Sequence, residues 1–285
     1  MPELPEVETM RRGVAPAVGA VIERFERVRC PRKPIAITPG VAAFRRRVEG
    51  RKIVDTQRAG KRVVLRLDTD DAIVFEPRMT GLLLLDDPPD SLYNRVRLQL
   101  GGRGRPRQLV YWDRRGLGNV RLASPEEFAD RYGPVSLGPD ALTITAQQYR
   151  ERLGGSRRAI KVALLDQRAV AGIGNLYAAE ILFVAGIHPQ RECCRVTPRQ
   201  WTALARATAD VLAEAIRYEG STLSDGTYRN ALNKQGGYQN EHRVYDKAGQ
   251  PCPRCGRSIE RIVQAQRSTF FCRGCQKRTG CIDSD

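Results

Sequence analysis

Two C-x-x-C pairs near the C-terminus, Cys252 with Cys255 and Cys272 with Cys275, restrict the fold of this chain more than any other feature. Each pair makes a tight knuckle, and two knuckles separated by residues 256–271 can close a thiolate tetrahedron around one zinc ion. Four protein ligands leave no open coordination position, so the ion folds this segment and does not catalyse. The remaining cysteines, Cys30, Cys193, Cys194 and Cys281, share no such spacing and read as ordinary thiols. Between the knuckles, "ERIVQAQRSTFFC" is β-branched and aromatic enough for a hairpin, with Arg267 at its tip. A guanidinium held there can clamp a phosphate or simply be solvated, and the spacing favours neither reading.

The rest of the chain is long enough for two domains: 285 residues, 41% of them hydrophobic. Its longest purely aliphatic run is Leu82 to Leu85, far short of the roughly 18 residues a membrane span needs. The N-terminus lacks the basic-then-apolar layout of a secretory signal, so the expectation is a cytoplasmic protein with reduced thiols and no membrane partner. Lys and Arg number 48 against 32 Asp and Glu, a net charge of +16 that draws in polyanions. Nucleic acid is the expected partner, although a merely basic enzyme would have the same balance; charge supports binding and says nothing of chemistry.

From Val7 to Val18, Val7, Met10, Val14 and Val18 recur at helical spacing. Ahead of them "MPELPEVETM" places Pro2 and Pro5 where first-turn amide hydrogens have no partners, and Glu3, Glu6 and Glu8 at the positive end of the helix dipole. Residues 50–122 switch to period two: Lys61, Val63, Leu65 and Leu67 share one parity, and Val96, Leu98 and Leu100 alternate with Arg95, Arg97 and Gln99. This region reads as an antiparallel sandwich or barrel. The Gly- and Pro-bearing stretch 132–142 ends that pattern and helices follow. Thr197 and Gln200 form a capping box with Pro198 in the first position, Trp201, Leu204, Thr208, Val211, Leu212, Ala215 and Ile216 make one face, and Gly220 closes it. The polar stretch 220–243 is expected to be an exposed loop. In "AGIGNLYAAEILFVAGIHP", Gly172 and Gly174 permit a tight turn and Asn175 can cap the next helix, whose free amides suit one phosphate. A plain helix start fits those residues as well.

Together, "MPELPEVET", "GIGNLYAAE" and "VYDKAGQPCPRCG…AQRSTFFCRGCQK" resemble, in order, the signatures of the formamidopyrimidine-DNA glycosylase family, which removes oxidised purines and cuts the resulting abasic site. The resemblance implies an α+β multidomain chain. An N-terminal antiparallel β-sandwich with flanking helices would occupy 1–135, a helix-two-turn-helix domain with a lesion loop 136–240, and a zinc-finger hairpin 241–285. It implies that Pro2, freed by removal of Met1, is the nucleophile and Glu3 the general acid toward the sugar ring oxygen. Lys61 would bind phosphate and donate a proton in elimination, Arg267 would clamp the phosphates flanking the lesion, and Asn175 would bind phosphate. Met79 and Arg115 would fill the gap left by the extruded nucleotide, Leu117 would stand at an aromatic wedge position, and a loop including Tyr238 would close over the base. Four positions depart from the family pattern: Glu76 and Tyr93 stand for histidines, Leu117 for the aromatic, and Ser156, beside Arg157, for a lysine. These bear on lesion choice and opposite-base preference. The expected activity is that of a monomeric glycosylase and abasic-site lyase on damaged double-stranded DNA, forming a Schiff base and carrying out β,δ-elimination, with one structural zinc ion. The alternatives are an endonuclease VIII-like preference for oxidised pyrimidines and a non-catalytic zinc-finger binder of damaged DNA.

Overall fold

The structure, a computed structural model, describes residues 2–85, 88–222, 228 and 235–278. These form two compact units, residues 1–136 with 215–239 and residues 137–214 with 240–285.

The first unit opens with α1 (Leu4–Val14). Glu6 reaches back from the third helical position, and its Oε2 accepts the Glu3 backbone N–H at 2.8 Å, satisfying an amide the helix leaves free. Leu4, Val7, Met10 and Val14 are buried on one face, which packs against the sheets. The helix stops short of the expected Val18: Pro16 has no N–H with which to continue the ladder, and Ala15–Ala17 tighten into a single 3-10 turn.

Next come β1 (Val21–Arg27), β2 (Ala36–Thr38), α2 (Val41–Val48), β3 (Ile53–Arg58), β4 (Val63–Leu67), β5 (Ala72–Glu76), β6 (Gly81–Leu85), β7 (Asn94–Gly101), β8 (Gln108–Asp113), β9 (Asn119–Ala123) and α3 (Pro125–Tyr132). One sheet runs β1-β7-β8-β6 and the other β2-β9-β5-β4-β3, so the expected sandwich is present. All pairs are antiparallel except β2 with β9. Residues of alternate parity, such as Leu65 opposite Ile73 and Leu98 opposite Leu109, meet in one apolar core, and each large side chain there contributes about 1.5–3 kcal/mol.

In β7 one residue breaks the expected alternation. Period two puts Arg95 on the polar face with Arg97 and Gln99, yet only 2% of it is exposed. A register shift between Asn94 and Val96 in the β7–β8 pairing supplies the reason, because a bulge turns neighbouring side chains to the same face.

The second unit contains α4 (Ala146–Leu153), α5 (Ile160–Leu164), α6 (Asn175–Ala185), α7 (Pro198–Arg217) and the hairpin of β10 (Glu260–Gln264) and β11 (Arg267–Phe271). The last residues of α7 cluster with the first unit. The capping box at its start is formed as the spacing requires: Thr197 N donates to Gln200 Oε1 at 3.1 Å and Gln200 N to Thr197 Oγ1 at 3.3 Å. Trp201 through Ile216 of its apolar face are buried. Phe183 and Ala179 of α6 share a small cluster with Val244, Ile259, Phe270, Cys252 and Cys272, which seats the hairpin on the helix. Of the loop expected over 220–243, residues 223–227 and 229–234 lie outside the described residues, as does Cys281; Tyr238–Glu241 is a short 3-10 turn. Among the described residues no helix is long and apolar enough to cross a membrane.

Candidate functional site

Pro2 and Glu3, at the start of the chain, are both buried. Glu6 fixes them: one carboxylate oxygen holds the Glu3 N–H, and the other accepts the Ser221 N–H at 2.8 Å. The Tyr228 hydroxyl donates to Glu219 O at 3.0 Å and approaches Glu6 O at 3.5 Å, and burial keeps its pKa well above the ordinary tyrosine value. The amino end is thus tied to the chain that enters and leaves the partly described loop. Tyr238, expected in that loop, is fully buried, its ring 6.4 Å from that of Tyr218 and its N–H bonded to Gly220 O at 3.0 Å.

Lys61 sits half-buried in the turn between β3 and β4, after Gly60 at φ +58°. Arg58 braces this turn by donating to Gly60 O at 3.0 Å, and its Nε lies 3.4 Å from Glu8 Oε2 on α1. Glu8 also pairs with Arg11 at 2.8 Å and Arg12 at 2.9 Å. The helix that carries Pro2 and the turn that carries Lys61 are therefore joined through one carboxylate. Burial works against the Glu8 charge, but hydrogen bonds from Arg11 and Arg12 and the nearby Arg58 prevail and hold its pKa below 4.5. A folded-state pKa below the unfolded value stabilises the fold above about pH 4.5, and that contribution is lost as pH falls through the lowered folded value. Glu8→Gln is accordingly expected to destabilise the protein by about 2 kcal/mol at pH 7. The deficit relative to wild type should shrink as acid denaturation profiles descend below pH 4.5; an undiminished deficit there would show that the charge is not its source.

Asp113 brings the two proposed insertion elements together. It is wholly buried at the end of β8, and its Oδ1 accepts the Thr80 hydroxyl at 2.5 Å and the Arg115 N–H at 3.2 Å, while Oδ2 accepts the Gly118 N–H at 2.8 Å. Thr80 Oγ1 in turn accepts the Arg115 N–H at 2.9 Å. Half-buried Met79, next to Thr80, and exposed Arg115 and Leu117 are thereby held on one frame. Sequence reasoning missed Asp113; the signal was an aspartate opening the glycine-bearing turn "DRRGLG", a position where a short carboxylate collects turn amides.

In the second unit, Asn175 does not cap α6; Gly174 does. The Asn175 amide is engaged elsewhere, accepting from Lys161 Nζ at 2.5 Å and donating to Ser268 O at 3.0 Å. Lys161, fully buried, also donates to Ser268 O at 3.3 Å. Ser268 follows Arg267, so Asn175 and the exposed Arg267 are placed by one hairpin. That hairpin turns through Ala265 and Gln266 at φ +46° and +60°, the twist that two-residue hairpin loops prefer. Arg157 is exposed beside Arg158, which pairs with Asp166 at 3.0 Å.

The sulfur atoms of Cys252, Cys255, Cys272 and Cys275 all lie within 4.8 Å of one another, with Cys252 to Cys275 at 3.8 Å and Cys255 to Cys272 at 3.5 Å. Tetrahedral zinc with Zn–S bonds of about 2.3 Å requires sulfur separations of about 3.8 Å, so this donor set fits a closed structural zinc site.

Three family models cover the chain: the formamidopyrimidine-DNA glycosylase N-terminal domain over residues 1–120, the H2TH domain of the same enzymes over 137–227, and a zinc finger found in FPG and IleRS over 249–278. A formamidopyrimidine-DNA glycosylase from Chloroflexus aurantiacus is 40% identical over 280 residues, covering 97% of this chain and 98% of that one. The chain belongs to the formamidopyrimidine-DNA glycosylase family. Among solved structures, the MutM (Fpg) protein of Thermus thermophilus matches at TM-score 0.82 and 37% identity over 96% of this chain and 98% of that one. A Lactococcus lactis Fpg in complex with DNA containing an abasic site matches at TM-score 0.84 and 30% identity, over 97% of this chain and all of that one.

Within this glycosylase family, the departures of the present chain have local accommodations. Glu76, at the position the resemblance gives to a histidine, is neutralised on both sides by Arg78 at 2.8 Å and Arg62 at 3.3 Å, and Asn119 donates to it at 3.1 Å. Tyr93 packs edge-on against Trp112 with ring centroids 5.6 Å apart. Glu180, at the end of "GIGNLYAAE", is a further residue the sequence reading left unassigned. Burial raises its pKa, and its carboxyl receives the N–H groups of Arg243, Val244 and Tyr245 at 2.8–2.9 Å, fixing the chain that leads into the finger.

Proposed function

We propose that this DNA glycosylase excises oxidised purines, 8-oxoguanine and formamidopyrimidines, from double-stranded DNA as a monomer, and then cleaves the abasic product. The observation that carries the reading is the buried Pro2–Glu3 end, clamped by Glu6 to Ser221, in a chain matched from end to end by its family. Once Met1 is removed, the Pro2 nitrogen is an α-amine, which titrates near about 8 and so is partly unprotonated at neutral pH. Its lone pair attacks the sugar C1′, the bond from C1′ to the base breaks, and Glu3 donates a proton to the ring oxygen as the ring opens. The resulting iminium withdraws electrons, so loss of a C2′ proton expels the 3′ phosphate and a second elimination expels the 5′ phosphate. Lys61 supplies a proton and Arg267 steadies the flanking phosphates in these steps.

Asn175 and Arg157 bind backbone phosphate; Met79, Arg115 and Leu117 occupy the space of the extruded nucleotide, with Tyr93 alongside. Tyr238, buried as it is, serves by anchoring the base of the loop over the lesion. The division of labour assigns catalysis to residues 1–135, duplex binding to 136–240 and the phosphate clamp to 241–285, with DNA in the cytoplasm as the place of action.

A panel of duplexes, each with one oxidised base opposite each normal base, tests this under borohydride. Excision of oxidised purines with a covalent adduct is expected. Faster excision of oxidised pyrimidines would establish the endonuclease VIII-like reading, and binding with no strand scission or adduct would establish the non-catalytic one.

A further inference from the structure

A cavity of about 350 Å³ opens in the first unit where the chain leaves β1, lined by Arg27, Arg29, Cys30, Arg32, Ile35 and Arg95 among others. Four arginines line it, and no carboxylate is among its lining residues. Arg95 is the buried one among them. Only 2% of it is exposed; its Nε donates to Asp113 O at 2.8 Å and its Nη1 to Lys33 O at 2.9 Å. Its Nη2, also buried, has no hydrogen-bond partner among the described residues. Four arginines around one cavity, with no carboxylate among its lining residues, suit an acceptor-only anion. Arginine forks match the paired oxygens of a phosphate and keep their charge at any accessible pH.

We infer that this cavity binds a phosphate group, with Arg27, Arg29 and Arg32 donating to its oxygens and the buried Arg95 adding positive charge behind them. None of Pro2, Lys61, Asn175 and Arg267 lines the cavity, and the inference does not depend on the chemistry proposed for them. It adjoins the turn that carries Arg115 and Leu117: a Cβ on Gly116 would lie 3.1 Å from Arg95 Nη2. A backbone phosphodiester of duplex DNA and a free phosphorylated small molecule offer the same group.

Cys30, in the cavity wall and half-buried, reports occupancy. Its rate of modification by N-ethylmaleimide, read by peptide mass spectrometry, is expected to fall several-fold when inorganic phosphate replaces chloride at constant ionic strength. Arg29→Ala/Arg32→Ala, both at exposed positions, should abolish that protection, and Arg95→Met should weaken it wherever the variant retains the wild-type circular dichroism spectrum. Equal Cys30 rates in phosphate and chloride, or protection that persists in the double variant, would overturn the inference. Where the occupant is DNA, a duplex with a stable abasic analogue also protects Cys30, and the double variant loses about 1–2 from the slope of log affinity against log salt. Where it is a free phosphorylated molecule, phosphate protection is lost in the double variant while the duplex salt slope stays the same.

Discussion

Pro2→Gly, with Met1 removed, is expected to lower base excision on the order of 10³-fold and to reduce the borohydride-trapped adduct in proportion. Glycine keeps an α-amine of similar pKa, so the change isolates what the ring contributes. A secondary amine condenses to an iminium that carries its charge at every pH, whereas the imine of a primary amine is an electron sink only while protonated. The ring also fixes the direction of the nitrogen lone pair about the N–Cα bond, which glycine leaves free to turn away from the line of attack. The fold provides an internal control. Pro2 lies ahead of the Glu3 cap and supplies no N–H to it, so the Glu3 N–H to Glu6 bond and the Glu6 bond to Ser221 persist, and the melting temperature should move by only a few degrees. Full excision by the glycine variant would remove proline as the required nucleophile.

The parts of this molecule that were legible in its sequence are those encoded over short spans. A capping box needs only Thr197 and Gln200 three residues apart, and both its hydrogen bonds are formed. Four thiols in two knuckles specify a metal tetrahedron wherever the intervening hairpin goes, and the sulfurs do converge. Alternation specified the sheets until a bulge at Asn94 reversed it, and the residue that this displaced, Arg95, became the buried cation of the basic cavity. The supports of the candidate site were illegible because their partners are distant in the chain: Asp113 with Thr80, Glu6 with Ser221, and Lys161 with Ser268. No local periodicity announces such a pair. Asn175 shows the same limit, since its neighbours favour a cap while a carbonyl 93 residues away takes its amide instead.

That long-range bond makes metal removal the second large effect. The apolar cluster that seats the finger on α6 contains few side chains, too little to order the segment without its metal, whereas zinc contributes about 10–16 kcal/mol to isolated fingers at neutral pH. Chelation, or Cys272→Ala, is therefore expected to unfold residues 249–278 while the sandwich keeps its own core. The two proposed phosphate ligands are lost together. Arg267 goes with the hairpin, and Ser268 O leaves Lys161 and Asn175, so the buried ammonium loses one of its acceptors and Asn175 is released from its orientation. At about 1.5–3 kcal/mol for each charged hydrogen bond, affinity for an abasic duplex should drop on the order of 10²- to 10⁴-fold. Arg267→Ala in the zinc-loaded protein removes one contact from a folded finger and should cost only about tenfold, with the salt slope lowered by about 1. If the chelated protein matched this arginine variant in affinity and salt slope, the finger would be acting through its tip alone, and Asn175 would not depend on it for its position.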